Sequence, residues 1–252
     1  MRENHRYPHA AFAPYNSTIF YLRRPWVIAW WSAAFPGMGH ICLGSKLRGL
    51  LIMLWELFIN VKANLNIAII YSFTGQFQSA KEILDIRWLL LYTPFYLYTI
   101  WSSYTLTIML NHAAAIAICR PPVLFPIFHN SLEVNVWDKR SPLLAAIWSA
   151  MMPGTGHLYG NKLVTGFFLL LFWISAAYYS SLLPAIHFTL LGAFDQVKAV
   201  VNPEWLLFMP SVHLFSIYDS TCHVAEANRL IEQEQDDFFK NHYQPAHFRL
   251  PV

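Results

Sequence analysis

Two histidines stand at the same place in two copies of one short string. His40 closes Pro36-Gly37-Met38-Gly39-His40, and His157 closes Pro153-Gly154-Thr155-Gly156-His157. Imidazole binds Zn, Cu, Fe or Ni and hydrogen-bonds a lipid head group, so two histidines brought together could hold either. A zinc site needs about four ligands, however, and two histidines supply only half of them. The same residue types also build a turn. Proline removes a backbone donor, glycine frees the chain and lets backbones approach closely, and histidine bonds the carbonyls released by the proline. The sequence favours this structural turn, made by Pro36, Gly37, Gly39, His40, Pro153, Gly154, Gly156 and His157.

Two other groups of residues have spacings that suit chemistry. Glu56, Asn60 and Asn64 recur every fourth residue inside an apolar run. On one helix they lie within ~80° of each other, as a polar lane for an ion or proton, while Lys62 and Asn66 fall on a different face. The positions matching the lane in the second copy are Trp173, Ala177 and Ser181, so the lane is not duplicated. Asp219, His223 and Glu226 share a helix face by their spacing. With His40 and His157 they are the candidate metal ligands, against the plainer reading of a solvated helix end. No nucleotide-binding glycine loop, nucleophile elbow, His-Glu-x-x-His helix or Cys-x-x-Cys pair is present. No catalytic residue is assigned, no cofactor is expected, and an enzyme is the less favoured reading.

The elements that must position these residues follow from composition and repetition. The chain has 252 residues, of which 56% are hydrophobic and 12% charged. Soluble domains carry about 25% charged residues, so half the usual polar surface is missing. Apolar runs long enough for a ~30 Å hydrocarbon layer account for this, and the expected class is a multi-pass membrane protein. The stretches 25–40 and 142–157 share nine of sixteen residues at a shift of 117. The shift persists beyond them: Trp88-Leu89-Leu90 matches Trp205-Leu206-Leu207, and Asn111 matches Asn228. Self-similarity at one period points to tandem units. The expected fold is an all-α integral membrane protein of two three-segment repeats with four to six membrane helices. Residues 1–24 form a polar tail, 25–119 the first repeat, 120–141 a linker, 142–224 the second repeat and 225–252 a polar tail helix.

Charge placement selects between topologies, because Lys and Arg collect on the cytoplasmic side. If the segments at about 25–43 and 142–160 turn back, only Lys81, Arg87 and Lys198 face the far side, with Lys62 inside a segment. Six full crossings spread the basic residues more evenly, so four crossings are favoured, with both termini cytoplasmic. Residues 1–24 have no apolar core ending in small residues, so the first apolar segment is expected to stay as an anchor. Cys42, Cys119 and Cys222 are an odd, widely spaced set that suits buried thiols better than disulfides. The net charge of +3 without a basic run suits contact with the lipid bilayer and gives no reason to expect nucleic acid.

The second string continues as Pro153-Gly154-Thr155-Gly156-His157-Leu158-Tyr159-Gly160, with Lys162 and Gly166 following. It resembles the TM2-like membrane modules of bacteria. The first copy follows the same pattern through Gly44, Lys46 and Gly49, with Cys42 in place of the tyrosine. The resemblance covers about 30 residues per half and implies a helical hairpin module in a bacterial plasma membrane, with no catalytic residue. The leading expectation is a non-enzymatic membrane scaffold or assembly factor that packs against other membrane proteins or itself. The alternative is a small transporter or permease component using the Glu56 lane.

Overall fold

Proline starts both halves. Pro25 and Pro142 occupy the first turns of equivalent helices, where the missing N–H costs nothing and the fixed φ already suits the helix. The computed structural model describes residues 10–13, 16–19, 21–117, 127–130, 133–136 and 138–243. Each half opens with a two-stranded antiparallel hairpin: β1 (Ala10–Ala13) with β2 (Asn16–Ile19), and β3 (Ile127–Asn130) with β4 (Glu133–Val136). The registers, Ala10 opposite Ile19 and Ile127 opposite Val136, also differ by 117. The stretches read from sequence as a tail and a linker thus hold equivalent hairpins. Everything else with regular structure among the described residues is helical.

The first half continues as α1 (Pro25–Ala34), α2 (Met38–Cys42), α3 (Lys46–Ala63), α4 (Leu65–Phe73), α5 (Phe77–Ile83) and α6 (Ile86–Ala117). The second runs α7 (Pro142–Met151), α8 (Thr155–Tyr159), α9 (Leu163–Tyr179), α10 (Leu182–Leu190), α11 (Phe194–Val200), α12 (Pro203–Leu206) and α13 (Phe208–Tyr243). α1 lies antiparallel along α6. Asn111 holds the backbone of Arg23 with two hydrogen bonds, and the Tyr96 hydroxyl donates to the Ala33 carbonyl. The second half repeats these clamps, with Asn228 on Arg140 and His213 on the Ala150 carbonyl. With ten residues, α1 and α7 are each ~15 Å long, half the thickness of a bilayer core.

Asn64 and Ser181 end α3 and α9 in the left-handed region, with φ of 53° and 57°. This conformation bends the chain by 63° into α4 and by 59° into α10. The carbonyls freed at the bends are taken by the Asp85 and Asn202 backbone N–H groups, which donate to Ala63 and Ser180. The apolar runs read as single segments at 49–73 and 166–191 are therefore broken helices. Among the described residues no single helix is long and apolar enough to cross a membrane, whereas these two bent pairs reach that length and composition together. The expected tail helix is not separate, because α13 runs without a break from the body to Tyr243.

The core lies where the halves meet. Phe35 packs edge-on against Phe172 and Phe208, and Trp31 against Phe215. Met38, Met53 and Val212 are fully enclosed among them. Around this apolar core, polar residues are buried and large apolar residues exposed along two of the helices. α6 buries Thr99, Ser102, Ser103 and Thr107 while exposing Leu90, Leu91, Leu97, Trp101 and Met109. On α1, Trp26 and Trp30 are 76% and 68% exposed.

Candidate functional site

Each Pro-Gly-x-Gly-His string turns a helix back on itself, and the glycines allow it. Gly37 and Gly154 have φ of 100° and 101°, a conformation that L side chains rarely adopt. A Cβ on either would also meet the carbonyl of Gly49 or Gly166 at 2.4 Å. Gly39 and Gly156 close the hairpin, since a Cβ there would come within 2.6 Å of the Ile28 carbonyl or 2.3 Å of the Ala145 carbonyl. The short helices α2 and α8 are thereby pressed against α1 and α7, and each buries its histidine completely.

The two histidines reach equivalent positions on the long helices but meet different groups. His157 Nε2 donates to Asp219 Oδ2 at 3.1 Å, and Lys162 Nζ donates to the same oxygen at 2.8 Å. Their side chains are at most 4% exposed, so the carboxylate, the ammonium and the imidazole form one enclosed neutral cluster. Serines surround it: Ser149 and Ser220 are hydrogen-bonded at 2.9 Å, and Ser216 accepts from the Gly154 backbone. In the first half His40 Nε2 lies 3.3 Å from the Ser102 hydroxyl, and Arg48 donates to Ser102 at 3.0 Å and to Tyr98 at 2.6 Å. Ser102 is the counterpart of Asp219, and Ser45 of Lys162.

Of the candidate metal ligands, His157 and Asp219 meet, while His40, His223 and Glu226 have separate partners. His223 Nε2 donates to the Gly160 carbonyl, bracing the end of α8, and Glu226 lies 4.0 Å from Arg229. Among the described residues no three His, Cys, Asp or Glu side chains gather as a metal set. Lys162 on Asp219 sets a positive charge where a cation would have to bind. Lys162 is the member of the cluster that spacing on one helix does not reveal, because it comes from the loop after α8.

The polar lane is rearranged by the bend at Asn64. Asn64 leaves the lane and donates to the Ile83 carbonyl. Asn66, on a different face of a continuous helix, replaces it: its N–H donates to Asn60 Oδ1, and its Oδ1 accepts from Asn60 Nδ2. Glu56 Oε1 accepts from Asn60 at 3.3 Å and from the Tyr92 hydroxyl at 3.2 Å. From the second half, Glu204 closes the network. Its carbonyl accepts from Asn66 Nδ2 at 2.8 Å, and its Oε2 accepts from the Ile67 backbone at 3.1 Å. Glu204 was missed because it stands at the start of an apolar segment, where an acid reads as a helix end. Its only signal was a carboxylate directly beside Trp205.

α13 leaves the body beyond the cluster. From Asn228 to Lys240 none of its residues is buried, and Phe238, Phe239 and Tyr243 are exposed with their rings in mutual contact. Lys139 pairs with Glu232 at 3.2 Å near its base, and partial burial pushes the Glu234 carboxyl up from its ordinary range. Comparison of the chain with protein-family models, with curated proteins and with solved structures finds no match.

Proposed function

We propose that the chain is an integral membrane protein made by tandem duplication of a TM2-like unit, and that it acts as a non-enzymatic scaffold or assembly factor. Burying hydroxyls and a charged cluster while exposing Trp26, Trp30, Leu97 and Trp101 is unfavourable in water and favourable in lipid. Lipid satisfies the outward apolar side chains, and most of the inward polar groups satisfy one another. The short α1–α2 and α7–α8 hairpins support four crossings, because neither α1 nor α7 is long enough to span. In this arrangement both termini and the end of α13 lie on the cytoplasmic side of a bacterial plasma membrane.

The observation that carries the scaffold reading is α13 itself. One helix buries Ser216, Asp219 and Ser220 in the body and then projects as an arm with Phe238, Phe239 and Tyr243 exposed. Large aromatics that the fold leaves outside are anchor residues for a partner. A photoreactive residue at Phe239, activated in the native membrane, should give one discrete protein adduct that excess unlabelled protein competes away. Adducts with lipid alone, or none, would overturn the scaffold reading.

The buried Glu56–Asn60–Asn66 network favours a second reading, a small transporter or permease component. Under that reading Glu56→Gln abolishes proton or sodium flux into proteoliposomes while the protein stays folded. Equal flux with the variant would eliminate the lane.

A further inference from the structure

Glu56 and Glu204 are 4% and 5% exposed, and each has one carboxylate oxygen, Oε2 and Oε1 respectively, with no hydrogen-bond partner. The Glu56 carboxyl accepts from Asn60 Nδ2, whereas the Glu204 carboxyl accepts from the Ile67 N–H and its backbone carbonyl accepts from Asn66 Nδ2. Neither makes an ion pair among the described residues, and Lys62 points outward. Two enclosed carboxylates without a counter-charge carry a large desolvation penalty, in contrast to Asp219, whose charge is matched by Lys162.

We propose that Glu56 and Glu204, with the side-chain oxygens of Asn60 and Asn66, bind one hard divalent cation of the calcium type at the junction of the two halves. The charges balance, since two carboxylates match one dication. The donors are all oxygen, the chemistry that calcium and magnesium prefer over the nitrogen and sulfur that select zinc or copper. Asn60 Oδ1 and Asn66 Oδ1 each accept one hydrogen bond and keep a second lone pair for a ligand bond. A cation here would also couple the halves, because Glu56 and Asn60 come from α3 and Glu204 from α12. The inference does not depend on transport, because binding is measured without flux.

The test uses the full-length protein in nanodiscs, stripped with a chelator and titrated with radiolabelled calcium. One saturable ion per chain is expected, with a higher Tm when it is bound. Glu56→Gln and Glu204→Gln should each weaken binding by about tenfold or more, while Glu232→Gln on the exposed arm leaves it unchanged. Terbium provides a check that leaves the carboxylates in place. Tyr92 bonds Glu56, so Tyr92→Phe should reduce the sensitised emission of bound terbium while calcium still displaces it. Wild-type protein that takes up neither calcium nor magnesium, and whose Tm is indifferent to chelator, overturns the proposal. Unchanged affinity in both glutamine variants overturns it as well.

Discussion

The two turn sites share a backbone and differ in what they enclose. In the first half His40 meets the neutral Ser102, and the cation that joins them, Arg48, reaches in from the exposed side of α3. In the second half His157 meets Asp219, and the cation Lys162 is sealed in with it. Gly37 and Gly154 differ by one degree in φ, and the asparagine clamps are the same on both sides. The geometry therefore belongs to the glycines, prolines and asparagines, and the frame is the same whether or not a charged pair is enclosed. What a buried carboxylate requires is a partner delivered to the same oxygen. Lys162, the counterpart of Ser45, provides it.

The largest effect should come from breaking that partnership. Asp219→Ala leaves the Lys162 ammonium buried with no counter-charge and should cost about 3–5 kcal/mol, measured by denaturant or thermal unfolding in detergent. Converting both residues to their first-half counterparts, Asp219→Ser with Lys162→Ser, should recover most of the loss. A double variant no better than Asp219→Ala would mean that the frame, too, depends on the charge. Next, Gly37→Ala and Gly154→Ala should destabilise by nearly equal amounts, about 1–3 kcal/mol from the clash and about 1–2 kcal/mol more from a Cβ at positive φ. Unequal losses would sink the claim that the turns are equivalent. The smallest effect belongs to the clamps. Asn111→Ala and Asn228→Ala each remove two hydrogen bonds to backbone, with an expected cost of about 1–3 kcal/mol for the pair and the same value in both halves.

Turns were legible in the sequence because their determinants are local. Pro36, Gly37 and Gly39 fix a backbone shape within five residues, and a second copy made the shape visible as a repeat. The bends were not legible, because hydrophobicity continues through them. Leu65 and Leu182 prolong the apolar runs past Asn64 and Ser181, and only the left-handed backbone at those two positions breaks the helix. A helical wheel carried across Asn64 therefore kept Asn64 in the lane and excluded Asn66, the reverse of what the bend produces. The cluster at Asp219 was half visible. Spacing along α13 grouped Asp219 with His223 and Glu226, but its partners lie 57 and 62 residues away, at Lys162 and His157. The hairpins escaped notice because short strands set among polar and proline-rich residues carry little periodicity.

α13 has a mechanical consequence. Asp219 and Phe239 lie on one unbroken rod of 36 residues, ~54 Å from end to end. A load applied at the aromatic end meets the Lys139–Glu232 pair and the Asn228–Arg140 clamp before it reaches Asp219, so these contacts brace the rod between the arm and the buried cluster.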